Sequence, residues 1–336
     1  MEHIVLPFGD RHTLFSYSEG KLKLLTTLPL FTLAHRVEIS SRFLVSFAAC
    51  KSALIIQAWF KTGRVGLPKI IELPHGVTGE CILLTNEHEL FVGGKSDRPW
   101  LGKINLQDQT TSWIPLLSDK DLENANEKGI DAISFSFGFS GRPRLVAYDN
   151  LLLPLYAWIF DKTDHGWLKP KRVEIEPIYT YEHIVSAHAT VDDIFLITSG
   201  INHGTSMQFL RRFDIDLNES ELLFEETNTD FLENTSEISH TFERGEDWLQ
   251  VVSAHDGKVF VAAGNAGLGI YDPAKSEIKY IERQGKAVRF IAQLDFGSTV
   301  AVAFEDTYEP QLYQWSIEVI TLDGISKFEQ IPSERR

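Results

Sequence analysis

The stretch that most constrains the fold is residues 247–283, DWLQVVSAHDGKVFVAAGNAGLGIYDPAKSEIKYIER. It breaks into four short runs of strand-forming residues. WLQVVSA, VFVAAG, LGIYD and IKYIE are separated by HDGK, NAG and PAKSE. Asp256-Gly257 suits a tight hairpin turn, and Pro273 cannot donate to a strand ladder. Four strands joined by short turns form an antiparallel meander. Such a meander cannot bury both faces alone, so it needs neighbours of its own kind.

Those neighbours are in the chain. The same rhythm of strand, turn, strand, loop recurs over 36–73, 80–116, 131–176, 183–226 and 288–331. Residues 11–30 read as the outer strands of a seventh unit, and MEHIVLP could supply one of its inner strands. The 336 residues divided among seven units leave 48 each, the length of a propeller blade. The expectation is one all-β domain over 1–336, a seven-bladed β-propeller with its ring closed by N- and C-terminal strands. A six-bladed ring, with the N-terminal hairpin joined to the last blade, is the alternative.

Two blades resemble known repeats. VVSAHDGKVFVAAGNAGLGIYD resembles the LVIVD-type propeller repeat through Val252, Ser253, Val261, Ala262, Gly264, Gly267, Leu268, Ile270 and Asp272. ELFVGGKSDRPWLGKINLQDQTTSWIPL resembles a kelch blade through Gly93-Gly94 and Trp113. The Gly-His and Trp-Asp pairing of WD repeats is missing. Each resemblance covers one blade and implies a fold without a function.

The net charge of −15 disfavours nucleic acid and anionic membranes and favours a basic protein partner, or serves solubility alone. Cys50 and Cys81 read as reduced, buried thiols of a cytoplasmic protein. The N-terminus lacks the pattern of a signal peptide, and apolar runs such as LLLPLYAWIF are too short to span a bilayer.

"VSAH" occurs twice, and His188 and His255 are assigned to the first turns of two blades as structural residues. A metal site needs three or four converging ligands. Better candidates precede the inner strands. Alignment on VSA places Cys81, Asp131, His183, Gln250 and Arg289 in equivalent positions, at the mouth of the expected channel. Loop residues Asn150, Asn265 and Asp306, with the aromatic Trp248, join them as a candidate binding site for a small molecule. No catalytic residue and no resident cofactor is assigned. An alternative is a metal-dependent, lactonase-like hydrolase, with calcium held at the mouth by Asp131, Asn150, Asn265 and Asp306. The spacing of Asp214, Asp216, Asn218, Ser220 and Glu225 imitates a calcium loop. Glu219 occupies the position that needs glycine, so DIDLNESELLFE reads as a hairpin between outer strands.

Two segments exceed the blade period. Residues 118–129 read as a short helical insertion. Residues 214–247 hold twelve acids against Arg244 alone, most of the net charge. Within this run, Glu219, Glu221, Glu225, Glu226, Asp230, Glu233, Glu237, Glu243, Glu246 and Asp247 form the candidate acidic surface, interleaved with Phe224, Phe231, Leu232 and Phe242. Aromatic anchors in an acidic rim suit a non-catalytic interaction role, as an inhibitor, immunity protein or scaffold.

Overall fold

A computed structural model of the chain describes residues 2–33, 35–85, 88–117, 129–136, 142–149, 155–178, 182–202, 205–218, 220–228, 250–253, 257–306, 315–322 and 326–327. The expected helical insertion lies outside these residues except for Gly129, as does the acidic run beyond Asn228.

The strands form seven antiparallel sheets, in chain order. The first holds β1 (Glu2–Phe8), β2 (Arg11–Ser18) and β3 (Lys21–Leu28). The second holds β4 (Glu38–Ile39), β5 (Phe43–Phe47), β6 (Ala53–Trp59) and β7 (Val65–Glu72). The third holds β8 (Thr78–Leu84), β9 (Glu89–Lys95), β10 (Pro99–Asn105) and β11 (Thr111–Pro115). The fourth holds β12 (Ile130–Ser136), β13 (Arg144–Asp149), β14 (Leu155–Thr163), β15 (Gly166–Trp167) and β16 (Lys171–Ile175). The fifth holds β17 (His183–Ala189), β18 (Asp193–Asn202), β19 (Thr205–Asp214) and β20 (Ser220–Asn228). The sixth holds β21 (Gln250–Ser253), β22 (Val259–Ala262), β23 (Leu268–Asp272) and β24 (Glu277–Ile281). The seventh holds β25 (Lys286–Leu294), β26 (Thr299–Asp306), β27 (Trp315–Thr321) and β28 (Ser326–Lys327). The fold class is all-β, a seven-bladed β-propeller.

The count is seven because the N-terminal hairpin forms a sheet of its own. Residues 11–30 supply β2 and the edge strand β3, and β1 precedes them as the first strand. Among the described residues, the first and last sheets exchange no strand. They meet through side chains instead: Ile4, Leu6, Phe15 and Tyr17 pack with Leu294, Ala301, Trp315 and Ile317.

Contacts group the residues into two compact units. The first comprises 1–39, 59–66 and 228–336, and the second 40–58 and 67–227. In the second unit, apolar layers join successive sheets. Val45 and Leu54 pack with Leu90 and Val92, Phe91 with Leu145 and Trp158, and Val146 and Ile159 with Ile194 and Leu196. In the first unit, Phe260 and Leu268 pack with Ile291 and Phe304.

Middle strands are buried on both faces and read as continuous apolar runs, as in VFVA of β22. Outer strands such as β7 and β11 are largely exposed. The edge strand β3 is protected by Lys21, Lys23 and a bulge at Leu25. The turn at Gly63 also lies against it. With φ +86°, Gly63 sits where an added Cβ would come within 3.2 Å of the Leu25 carbonyl oxygen.

Four first strands carry one extra residue opposite their partner: Glu80, Asp131, Val185 and Arg289. This bulge corrects the alignment made on VSA. Asp131 and Arg289 share the bulge position, whereas Cys81 lies one residue past it and His183 two before it. A one-residue slip turns a strand side chain to the opposite face. His188 is also not in a turn: it lies in β17 opposite Phe195, and Thr190–Asp192 follow. His255 lies outside the described residues.

Candidate functional site

The acidic hairpin begins where β19 ends. The turn after Asp214 reverses the chain by local bonding: Asp214 Oδ1 accepts from the backbone N–H of Asp216 (3.1 Å) and Asn218 (2.7 Å). The carboxylate that could have opened a calcium loop therefore caps its own turn. Other acids of the hairpin meet cations that the linear run does not contain. Asp216 pairs with Arg144 of β13 at 2.6 Å, and Arg144 also holds Asp161 at 2.8 Å. Exposed Glu221 pairs with Arg212 across the hairpin. Beside it, Leu222 of the edge strand is 46% exposed. Glu225 and Glu226 lie on β20, but their side chains are outside the description. Glu219, Asp230, Glu233, Glu237, Glu243, Glu246 and Asp247 lie outside the described residues altogether.

Of the candidates of the expected mouth, Asp131 and His183 belong to the second unit and Gln250, Asn265, Arg289 and Asp306 to the first. Asn150 and Trp248 lie outside the described residues. Asp131 is the bulge residue of β12, and His183 is exposed at the start of β17. Arg289 is committed to Glu305 on the neighbouring strand, at 2.8 Å. Asp306 stands opposite Lys286, and Asn265 is exposed in the turn between β22 and β23. Gln250 is buried, and its Oε1 accepts from the Ile291 backbone N–H at 3.1 Å, fastening β21 to β25.

Gln250 also lines a cavity of about 230 Å³ in the first unit. Residues 4–7 of β1, His12 of β2, 36–39 around β4 and 290–292 of β25 form the rest of the wall. His12 is 1% exposed, on a strand buried on both faces. Its Nε2–H reaches two carbonyl oxygens, Thr32 at 3.1 Å and His35 at 2.8 Å, and so holds the segment leading into β4. Burial pulls its pKa down, against the smaller opposite pull of those carbonyls, so the ring is neutral. Its Nδ1 is a buried acceptor with no partner. On the wall that this histidine supports, Arg36 Nε contacts Glu38 Oε1 at 2.9 Å.

Comparison with known proteins adds the fold and little else. No family model matches the chain, and no curated protein matches it. Among solved structures, a functionally unknown protein from Desulfotomaculum acetoxidans is similar at 13% identity and a TM-score of 0.57, covering 98% of this chain and 95% of that one. A puromycin hydrolase mutant complexed with PGG is similar at 12% identity and a TM-score of 0.58. The match covers 98% of this chain but 52% of that one, so this chain spans about half its length. A chain of the mitotic checkpoint complex reaches a TM-score of 0.55 at 10% identity, covering 89% and 77%. At such identities the likeness shows the fold alone.

Among the described residues, no group of three or more His, Cys, Asp or Glu is placed to hold a metal ion, and no helix is long and apolar enough to cross a membrane. Neither cysteine is in a disulfide. Cys50 is exposed in a turn, contrary to the expected burial, while Cys81 directs its thiol to the Ile130 carbonyl at 3.2 Å. Gly93 explains that approach, since a Cβ there would sit 2.5 Å from the Cys81 sulfur.

Reasoning from sequence missed His12, Arg36 and Glu38. One signal was available: β2 reads as a buried strand, and a histidine in such a strand must satisfy its ring N–H. Nothing in the linear order joins residues 36–38 to 290–292.

Proposed function

We propose that this protein is a non-catalytic interaction module whose acidic hairpin binds a basic partner. The supporting observation is the edge of the fifth sheet, where Glu221 and Leu222 are both exposed within the acidic run. Twelve acids over 214–247 give the segment a field that attracts cations from a distance. Arg144 and Arg212 neutralise part of it, so the docking charge is supplied by the acids further along the run. Exposed Leu222, on the face of β20 opposite Glu221, offers an apolar contact that charge alone does not. The LVIVD-like character of the sixth sheet and the kelch-like character of the third fit such a module and add no chemistry.

Affinity capture at low and high salt tests this reading, with Glu219, Glu225, Glu226, Asp230 and Glu233 changed together to their amides. Capture of basic proteins should fall in the variant and with added salt. Capture unchanged by the substitutions would remove the reading.

A further inference from the structure

We propose that the cavity of the first unit is a binding site for a free α-amino acid with an apolar side chain. Its volume of about 230 Å³ lies below the roughly 300–1,000 Å³ of sites for drug-sized ligands, so the ligand is small.

The wall around β4 carries two opposite charges, Arg36 and Glu38, whose side chains meet at 2.9 Å. Arg36 is 57% exposed, so a carboxylate can reach its guanidinium, while Glu38, at 12%, sits deeper. An α-amino acid offers one carboxylate and one ammonium a single carbon apart. Arg36 and Glu38 already pair with each other, and a zwitterion meets both without leaving a net charge on the pair. A simple acid would meet the Glu38 carboxylate, and a simple amine the Arg36 guanidinium, each a like-charge contact.

The rest of the wall fits the remainder of the ligand. Half-buried Phe290, with the edges of buried Ile4 and Leu6, gives the apolar part of the lining. β1 and β25 are terminal strands of their sheets, so alternate backbone N–H and C=O groups point away from the paired neighbour. Along β25, Gln250 already meets one such group at Ile291. His12 acts as a positioning residue, since its two bonds fix the segment that presents Arg36 and Glu38.

Isothermal titration calorimetry on the whole chain tests the proposal with L-leucine, L-valine and L-phenylalanine. Isocaproate, lacking the ammonium, and isoamylamine, lacking the carboxylate, are the controls. At least one amino acid should bind saturably at millimolar concentration or below, with each control roughly tenfold or more weaker. Arg36→Met and Glu38→Gln should each lose about tenfold or more in affinity with little change in melting temperature, and Arg36→Lys should recover part of the loss. Failure of all three amino acids to bind would overturn the proposal. So would binding of either control as tightly as the amino acid, or affinity unchanged in both variants. Capture of a basic partner should be indifferent to these changes, which separates this site from the acidic hairpin.

Discussion

Two buried polar groups fasten connecting segments to strands, one as an ion pair and one as a neutral ring. In the second unit, Arg211 of β19 is 3% exposed and Glu182, just before β17, is 1% exposed. They meet at 3.1 Å. Arg211 Nη2 also donates to the Glu176 carbonyl at 2.9 Å, and Glu182 accepts from the backbone N–H of Ile178. The segment after β16 is thus tied at both ends, with the guanidinium over the Phe213 ring. In the first unit, His12 ties its segment with no charge at all. The difference lies in what surrounds each group. Arg211 has a carboxylate, so its charge survives desolvation. His12 has only carbonyl acceptors on one nitrogen and nothing on the other, so burial keeps it neutral.

The largest effect should come from removing half of the ion pair. Glu182→Ala leaves a buried guanidinium without its counter-charge, at an expected cost of about 3–5 kcal/mol in denaturant unfolding. The double change Glu182→Leu with Arg211→Met should lose much less than either single change. A double variant as unstable as Glu182→Ala would show that the segment is held by the charges themselves, not by removal of an orphan.

His12→Leu should cost about 1–3 kcal/mol, because the Thr32 and His35 carbonyls lose their donor. The histidine also gives stability a pH dependence. Its folded pKa lies below the ordinary value of 6.5, so the unfolded chain takes up the proton first. Its contribution is complete above about pH 6.5 and is lost as pH falls from there towards the lower folded value. Unfolding midpoints from pH 7.5 to 5 should fall more steeply for the native chain than for His12→Leu; parallel curves would contradict a neutral buried ring. His3, also lowered chiefly by burial, should leave a smaller slope of the same sign.

A smaller effect is expected where a hydroxyl joins the first and last sheets. The Tyr17 hydroxyl donates to Asp295 Oδ2 at 2.5 Å, and its pKa is pushed up to about 12 by burial and by that carboxylate. Tyr17→Phe should cost about 1 kcal/mol, and ultraviolet titration should show one tyrosine fewer ionising at the alkaline end. Least of all, Arg212→Ala removes an exposed partner of Glu221 and should change stability by under about 1 kcal/mol. It should strengthen any capture of cations by the hairpin.

These effects follow a division already present in the chain. The seven segments read from turn chemistry coincide with the seven sheets, and the four runs of 247–283 fall on β21 to β24. Local residues decide such features: Gly257 and Pro273 punctuate, and Val and Ile between them favour extended backbone. The candidate residues fared differently. A bulge at Arg289 or Val185 adds one residue to a strand without any mark in its composition, so equivalent positions could not be matched by counting.

By itself, the sequence determined the strand rhythm and the excess of negative charge, because each is set by residues within one turn or strand of one another, whereas the choice between six and seven sheets waited on the pairing of the N-terminal hairpin. Tertiary structure alone decided that Arg144 meets Asp216, that Gln250 closes on Ile291, and that residues 36–38 face residues 290–292 across a cavity. Those pairs are far apart along the chain. Their meeting depends on sheet packing and on register, in which a shift of one residue sends a side chain to the other face.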